Sequence, residues 1–275
     1  MTILINGKKN TQTSALDRGL LYGQSVFETI AISEGRACLL GLHINRLRRG
    51  CGVLGIPMDT RILLDEIESI ISNQDKAVLR VTLSMGVGGR GYLNPRSPQS
   101  TRILSLHDYP NHPSSNWLEG ITLGVAEIRL PHQPALAGLK HGNRLEQVIA
   151  RSQWQPGWHE ALLLDQQGSV IEATQSNVFM VNDGQLITPS LDFAGVAGVA
   201  REYLMSQAHK FGLSVKIMPL STNLIEAADE VFLSNSVIGL WPVKKLNTRL
   251  YTDHEISHKL LKLMIKNEVI PHYKT

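Results

Sequence analysis

The stretch from Glu160 to Pro189, EALLLDQQGSVIEATQSNVFMVNDGQLITP, restricts the possible folds of this chain more than any other feature. Apolar runs alternate there with short polar connections, and DQQGS and NDG are typical of hairpin turns. Strands joined by so few residues run antiparallel, because a parallel pair needs a long crossover connection. The spacing therefore predicts an antiparallel sheet in this region and argues against a Rossmann or TIM-barrel arrangement.

The rest of the sequence mixes strand and helix patterns, which predicts an α+β fold. The strands expected outside that stretch are TILIN, SVFETIAIS, AVLRVTLSM, TRILSLHDY, ITLGVAEIRL, SVKIMPL and DEVFLSN. The expected helices are HINRLRRGCGVLGI, TRILLDEIESIISN, residues 144–153, AGVAREYLMSQAHKFG, STNLIEAA and HEISHKLLKLMIKNE. Residues 107–119 are rich in Pro, Asn, Ser and His, which is typical of a linker. We therefore expect an N-terminal domain over 1–110, a linker over 111–119 and a C-terminal domain over 120–275.

Composition limits the kinds of partner. The net charge is +3 without a long basic tract, so the sequence does not favour nucleic-acid binding, whereas a small anionic substrate suits it. No apolar segment approaches the roughly 18 residues of a membrane span, and MTILINGKKN lacks the pattern of a signal peptide. Cys38 and Cys51 form no paired motif, which favours free thiols in a reducing compartment. We expect a cytoplasmic protein that binds neither nucleic acid nor membrane.

The common site motifs give little. GVGGRGY lacks the GK[ST] of a phosphate-binding P-loop and lies between strands, so on local grounds it is interpreted as a flexible loop. The ten histidines show no metal-ligand spacing, and no GxSxG elbow is present, so we expect no metal site. Taken alone, Lys140 in LAGLKHGNRLEQ is a solvated lysine, and Glu172 and Arg46 are surface charges.

Together, however, these residues belong to a longer pattern. The pattern has a glutamate, a small residue two positions on, an asparagine-aliphatic-aromatic triplet, an apolar-x-threonine and a closing aliphatic-x-glycine-aliphatic-x-basic run. The matching residues are Glu172, Thr174, Asn177, Val178, Phe179, Leu186, Ile187, Thr188, Val196, Gly198, Val199 and Arg201. This pattern resembles the signature of the class-IV aminotransferase-like (fold-type IV) pyridoxal-phosphate enzymes. ALDRGLLYGQSVFETI resembles the opening motif of the same family, and the resemblance extends over nearly the whole chain.

The resemblance implies an architecture. Such enzymes have two domains, a smaller N-terminal α/β domain and a larger C-terminal domain with an antiparallel, β-barrel-like core flanked by helices. Their site lies between the domains and takes a loop from a second subunit, so the resemblance also implies a homodimer.

The resemblance further implies pyridoxal 5′-phosphate as the cofactor. Lys140 matches the lysine that forms a Schiff base with the cofactor aldehyde and later acts as the general base. Glu172 matches the carboxylate that faces the pyridine nitrogen and makes the ring a better electron acceptor.

The phosphate of the cofactor is expected to meet two anchors. Arg46 matches the phosphate-binding arginine of the family. Val199 and Ala200 would begin a helix, and their backbone N–H groups would donate to the phosphate. Many relatives have a threonine where this chain has Ala200, so the backbone alone must serve there. Asn235, in the pair Ser234-Asn235, matches a further turn near the phosphate.

Within the family, LAGLKHGNRLEQ and GGRGY resemble the lyases that convert 4-amino-4-deoxychorismate to 4-aminobenzoate and pyruvate. Branched-chain aminotransferases carry a tyrosine where this chain has Leu145. The substrate would be a small dicarboxylate. Arg90 is the leading candidate for binding one carboxylate, with His141 and Arg144 as alternatives. The residues expected to line the pocket are Tyr22, Phe27 and Thr29. The alternatives are a D-amino-acid or branched-chain aminotransferase of the same fold, and a non-catalytic member that binds a ligand or partner.

Overall fold

Two β-sheets organise residues 2–271, the part of the chain that the computed structural model describes. The chain divides into two compact units. The first contains the residues up to 110 together with Leu139–Asn143, and the second contains Asn111–Gly138 and the residues from 144 onward. The sequence-based division assigned 120–275 to one domain, whereas Leu139–Asn143 group with the first unit.

The first unit is built on a sheet with the order β2-β1-β6-β5-β3-β4, in which every neighbouring pair is antiparallel. Its elements are, in chain order, β1 (Thr2–Ile5), β2 (Lys8–Lys9), α1 (Arg18–Tyr22), β3 (Ser25–Ser33), β4 (Arg36–Ala37), α2 (Leu40–Leu54), α3 (Thr60–Ile71), β5 (Lys76–Ser84) and β6 (Thr101–Asp108). The predicted strands and both predicted helices of this half are confirmed. The sequence analysis did not anticipate the short elements α1, β2 and β4.

The two faces of this sheet differ in chemistry because side chains alternate along each strand. Val26, Ile30 and Ile32 of β3 join a buried apolar core with residues of α2 and α3. Phe27 and Thr29 therefore lie on the opposite face. Glu28 breaks the pattern, since it is a carboxylate on the core-facing side of the strand.

The second unit contains a larger sheet with the order β12-β11-β10-β13-β14-β7-β8-β9, and β15 pairs with β14. Its elements are α4 (Ser115–Leu118), β7 (Ile121–Leu130), α5 (Leu145–Ser152), β8 (Glu160–Asp165), β9 (Val170–Ala173), β10 (Asn177–Asn182), β11 (Gln185–Thr188), α6 (Val199–Gln207), β12 (Ser214–Ile217), α7 (Thr222–Glu226), β13 (Glu230–Asn235), β14 (Gly239–Leu246), β15 (Arg249–Leu250) and α8 (Glu255–Lys266). After α6, a 3₁₀ turn over Ala208–Phe211 ends at Gly212, the predicted end of that helix.

This sheet is mixed and curled. The predicted hairpins β8–β9 and β10–β11 are antiparallel, as expected, while β7–β8, β7–β14 and β11–β12 are parallel. Only three residues connect β9 to β10, although four strands separate them in the sheet. A flat sheet would hold them about 24 Å apart, at about 4.8 Å per strand spacing. The sheet must therefore curl back on itself, which gives the barrel-like core.

The predicted linker does not remain a simple connection. Residues 115–118 within it form α4, and Trp117 is buried there, with its indole N–H donating to the carbonyl of Ile238 at 2.8 Å. Among residues 2–271, no helix combines the length and the hydropathy needed to cross a bilayer.

Candidate active site

Lys140 is held against the start of β3. The N–H of Phe27 donates to the carbonyl of Lys140 at 2.9 Å, and the N–H of Gly142 donates to the carbonyl of Ser25 at 2.8 Å. Val26 and His141 form the bridge between these two bonds. Alternation along this short pairing puts the Lys140 side chain on the same face as Phe27. Its Nζ lies 4.4 Å from the centroid of the Phe27 ring, so the amine lies on the face of the sheet opposite the apolar core.

Two glycines make this pairing possible. Gly23 ends α1 in the left-handed region, with φ +66°, and a Cβ on it would lie 1.6 Å from Oδ1 of Asn143. A Cβ on Gly142 would lie 2.2 Å from Oγ of Ser25. The segments YGQS and KHGN therefore fit together only because both positions lack a side chain.

A second cation shares the Phe27 ring. The Arg80 guanidinium carbon lies 3.9 Å from the ring centroid, and Arg80 stands opposite Thr29 in the β3–β5 register. Burial lowers the pKa of Arg80, but an arginine stays charged at neutral pH. The structure thus brings together the predicted residues Phe27, Thr29 and Lys140, and adds Arg80. The sequence analysis missed Arg80; the signal was a lone arginine inside the apolar strand AVLRVTLSM.

Tyr22 and Arg90 belong to a different cluster. The loop GVGGRGY is anchored by Arg18, whose Nη1 donates to the carbonyl of Gly91 at 2.8 Å and whose Nη2 donates to the carbonyl of Tyr92 at 3.2 Å. The hydroxyl of Tyr22 accepts the N–H of Gly91 at 3.2 Å. Arg90 is exposed beside this anchored point. The segment is a loop, as predicted, and Arg18 and Tyr22 of α1 hold its backbone at Gly91 and Tyr92.

Arg46 lies in a buried charged cluster with Glu28 and His43. Its Nε donates to Oε1 of Glu28 at 2.8 Å, and its Nη2 donates to Oε2 at 2.5 Å. Nδ1 of His43 lies 2.6 Å from Oε2 of the same carboxylate. Burial by itself would raise the pKa of Glu28, but the charges and hydrogen bonds of Arg46 and His43 lower it. Burial lowers the pKa of His43, so the ring is neutral and Nδ1 carries the donated hydrogen.

In the second unit, Glu172 lies on β9 and is buried, at 5% exposure. Its Oε2 accepts the N–H of Val196 at 2.8 Å. The charge of Glu172 favours the cationic form of Arg144, although burial, the larger effect, lowers the pKa of that arginine. Arg144, an alternative carboxylate ligand in the sequence analysis, therefore lies within electrostatic reach of Glu172.

The other residues of the sequence signature build the loop that precedes α6. The side-chain amide of Asn177 donates to the carbonyl of Val196 at 2.8 Å. A Cβ on Gly198 would lie 1.8 Å from Oδ1 of Asn177. Arg201 turns its guanidinium onto Oγ1 of Thr188 at 3.2 Å and onto the carbonyl of Pro189 at 3.1 Å. Asn177 and Arg201 therefore have a structural role at the two ends of the loop. Glu172 is the residue of the signature whose carboxylate can take part in acid–base chemistry.

The same loop also forms hydrogen bonds with Gly138, two residues before Lys140. The N–H of Gly138 donates to the carbonyl of Gly195 at 2.9 Å, and the N–H of Ala197 donates to the carbonyl of Gly138 at 3.1 Å. Val196, which lies between those two loop residues, binds Glu172. One short loop therefore anchors both the chain entering the lysine segment and the buried carboxylate.

The predicted phosphate anchors of this unit differ in kind. Val199 and Ala200 open α6 after Gly198, which has no side chain to cap the helix. The side chain of Asn235 has its donors on the carbonyl of Gln175 and on Oγ of Ser176, and its Oδ1 accepts two backbone N–H groups. The Asn235 side chain therefore organises its own turn, and the position of that turn near a phosphate stays a prediction.

Glu160 is a buried carboxyl close to Glu172 in the β8–β9 hairpin, and the sequence did not reveal it. Its Oε1 accepts the N–H and the hydroxyl of Thr174, and its Oε2 accepts the N–H of Gln175. Burial raises the pKa of Glu160 to about 7, against these hydrogen bonds. This carboxyl fixes the turn that immediately follows Glu172.

Comparisons with known proteins agree on one family. A model of the Amino-transferase class IV family matches residues 25–246. An aminodeoxychorismate lyase of Vibrio harveyi is 34% identical over 245 residues, which cover 88% of this chain and 90% of that protein. A putative branched-chain-amino-acid aminotransferase of Methanocaldococcus jannaschii is 31% identical over 276 residues, which cover 97% of this chain and 95% of that protein. The crystal structure of 4-amino-4-deoxychorismate lyase from Pseudomonas aeruginosa superposes with a TM-score of 0.94 at 39% identity, covering 98% of this chain and 100% of that one.

Proposed function

Because this chain belongs to the Amino-transferase class IV family, we propose that it is a pyridoxal-phosphate-dependent lyase that converts 4-amino-4-deoxychorismate to 4-aminobenzoate and pyruvate. The similarity to lyases of Vibrio harveyi and Pseudomonas aeruginosa supports this choice. The observation that carries the proposal is the Phe27 ring, which contacts the Lys140 amine and the Arg80 guanidinium at once. An amine that reacts and a cation that binds carboxylate are the two groups that this substrate requires.

The described residues fit the expected cofactor by the chemistry of their groups. Lys140 would hold the aldehyde carbon, and the buried carboxylate of Glu172 would hold the proton on the ring nitrogen. The phosphate would be held by Arg46 and by the uncapped start of α6 at Val199 and Ala200. When bound, pyridoxal 5′-phosphate supplies an acceptor for the electron pair that a carbon beside the substrate nitrogen gives up on losing its proton.

Lys140 does the acid–base work in this proposal. Its Nζ removes the proton from the ring carbon that carries the substrate nitrogen. The substrate ring then becomes aromatic as its C–O bond to the enolpyruvyl group breaks. The proton that Lys140 has taken balances the one that the methylene carbon of the leaving group gains as pyruvate forms. The reaction therefore needs one substrate and no 2-oxo acid.

The carboxylates of the substrate determine the other assignments. Arg80 would bind one of them on the Phe27 face, and this guanidinium can offer paired donors. Phe27 and Thr29 would line that side of the substrate. Arg90 would bind the second carboxylate, with Tyr22 holding its loop through Gly91.

The decisive experiment supplies 4-amino-4-deoxychorismate alone to the cofactor-loaded protein and measures both products. The expected result is 4-aminobenzoate and pyruvate in equal amounts without a 2-oxo acid. Turnover that depends on an added 2-oxo acid would replace the lyase by the aminotransferase alternative. Binding of pyridoxal phosphate without either reaction would favour a non-catalytic member.

The lysine assignment has its own test. Borohydride reduction of the loaded protein should attach the cofactor to Lys140, as read by peptide mass. Lys140→Ala should lose this attachment and all turnover. An unchanged rate in that variant would remove Lys140 from the reaction.

We also propose that the protein is a homodimer. In the second unit, α5 exposes Leu145, Val148 and Ile149 on one stripe, at 72%, 63% and 45%. A soluble monomer rarely leaves such a stripe uncovered, and a second copy would cover it. Light scattering after size exclusion should give twice the mass of one 30.4 kDa chain. A monomeric mass would overturn this part of the proposal.

A further inference from the structure

Glu28 is a carboxylate on the core-facing side of a strand, among apolar neighbours. Removing a charge from water is costly unless its partners compensate for the lost solvation. Here Arg46 supplies a two-pronged hydrogen bond and His43 supplies a third donor, and both partners come from α2. Well-packed apolar residues of similar volume often stabilise a core at least as well as a buried ion pair, so stability alone does not account for this charged cluster.

The fork restricts the orientation of Arg46. It uses both Nε and Nη2 of the guanidinium on the two oxygens of one carboxylate. A planar guanidinium held by two parallel bonds cannot rotate freely. The direction in which Arg46 can bind an anion is therefore set by Glu28.

His43 restricts Glu28 in turn. Oε2 of Glu28 accepts both from Nδ1 of His43 and from Nη2 of Arg46, so the carboxylate has one favourable rotation. His43 is fully buried, and its Nε2 has no hydrogen-bond partner among residues 2–271. Its described polar contact is thus the one with Glu28. His43 and Arg46 lie three positions apart on α2, which presents both to the same carboxylate.

We propose that Glu28 and His43 are positioning residues that orient Arg46 toward the phosphate group of the cofactor. This inference rests on the proposed function, in which Arg46 anchors that phosphate. A purely structural fork would stabilise the fold without any preference for a phosphorylated ligand. An orienting fork selectively favours a ligand that carries the phosphate.

The first unit contains a matched control. Glu66 and Arg102 form a second carboxylate–guanidinium fork, with Nε of Arg102 at 3.0 and 2.9 Å from the two Glu66 oxygens and Nη2 at 2.7 Å from Oε1. Glu66 is buried like Glu28, but it lies on α3, and the sequence signature does not include it. Glu66→Gln should affect folding and leave cofactor binding unchanged.

The experiment measures the affinities of pyridoxal 5′-phosphate and of pyridoxal, which lacks the phosphate, for the same apoprotein. Glu28→Gln should lower the affinity for pyridoxal phosphate by about tenfold to hundredfold. This is the range found when partners that orient a metal ligand are removed. Its affinity for pyridoxal should stay at the wild-type value. Equal losses for both ligands, or a pyridoxal phosphate affinity equal to that of Glu66→Gln, would overturn the inference.

Two further variants complete the test. Arg46→Ala separates the two proposals: if it leaves the affinity for pyridoxal phosphate unchanged, the phosphate assignment within the proposed function fails. If Arg46→Ala weakens binding and Glu28→Gln does not, only the positioning inference fails. Should Glu28→Gln not fold, His43→Leu takes its place and should show the same selective loss, while His43→Asn, which keeps a donor, should restore the affinity.

Discussion

Replacing Gly23 by alanine tests how Lys140 is positioned. The new Cβ would lie 1.6 Å from Oδ1 and 2.6 Å from Cγ of Asn143, so these groups must separate by roughly 2 Å to reach normal contact. Asn143 is three residues from Lys140 in a segment that pairs with β3. A 1 Å displacement of a reacting group can cost about a hundredfold in rate. We expect kcat/KM for 4-aminobenzoate formation to fall by about that factor, which corresponds to about 2.7 kcal/mol.

The control for this variant is Gly212→Ala. Gly212 also ends a helical segment in the left-handed region, with φ +70°, but no atom lies within 4 Å of its added Cβ. Both variants should lose about 1–2 kcal/mol of unfolding free energy from the left-handed alanine, and Gly212→Ala should keep its activity. Adding Asn143→Ala to Gly23→Ala should restore much of the rate, because it removes the clashing atoms. If Gly23→Ala is as active as Gly212→Ala, this contact does not position Lys140.

Three further predictions concern charge. Glu172→Ala should still attach the cofactor to Lys140 on borohydride reduction but lose about a hundredfold or more in turnover, because the developing charge loses its partner; activity near wild type would reject that role. Arg80→Met should raise KM by about tenfold to a hundredfold with a smaller change in kcat, as expected for a lost hydrogen bond to a charged group, and an unchanged KM would exclude Arg80 from substrate binding. Since burial lowers the pKa of His43, its contribution to stability is present above the unfolded value of about 6.5 and is lost as the pH falls below it. His43→Asn should therefore flatten the fall of the unfolding free energy as the pH drops below about 6.5, by up to about 1.4 kcal/mol per pH unit in urea titrations; equal slopes for the two proteins would contradict this.

Local patterns predicted the elements that carry strong periodicity. SVFETIAIS became β3 because its β-branched and apolar residues suit a buried strand, and the two hairpin signals gave antiparallel pairs as expected. Local patterns did not predict β14, where Pro242 interrupts the usual strand pattern, or β15, which is only two residues long. The three parallel pairs depend on contacts between distant segments, and turn chemistry carries no information about those.

The residues around Phe27 show why the site was only partly predictable. Phe27 and Thr29 were named from a family motif, whereas Arg80 lies more than fifty positions away on another strand. Its place beside Thr29 depends on the register of β3 with β5, which no local pattern specifies. Glu28 and His43 were missed for a related reason, since a carboxylate inside an apolar strand gains its meaning only when α2 supplies the partners.

The signature from Glu172 to Arg201 identifies the family so well because most of it is architectural. Asn177, Gly198 and Arg201 fix a loop whose backbone binds Glu172 and also pairs with Gly138, next to the lysine segment. If Lys140 and Glu172 act as proposed, this loop is needed whatever the substrate, since its backbone binds Glu172 and pairs with Gly138, two residues before Lys140. The choice between lyase and aminotransferase must then lie outside the signature, on surfaces such as the Phe27–Arg80 face. Exchanging residues on that face should change the substrate while leaving the attachment of the cofactor to Lys140 intact, whereas Gly198→Ala, which forces Asn177 away, should weaken the attachment for every substrate.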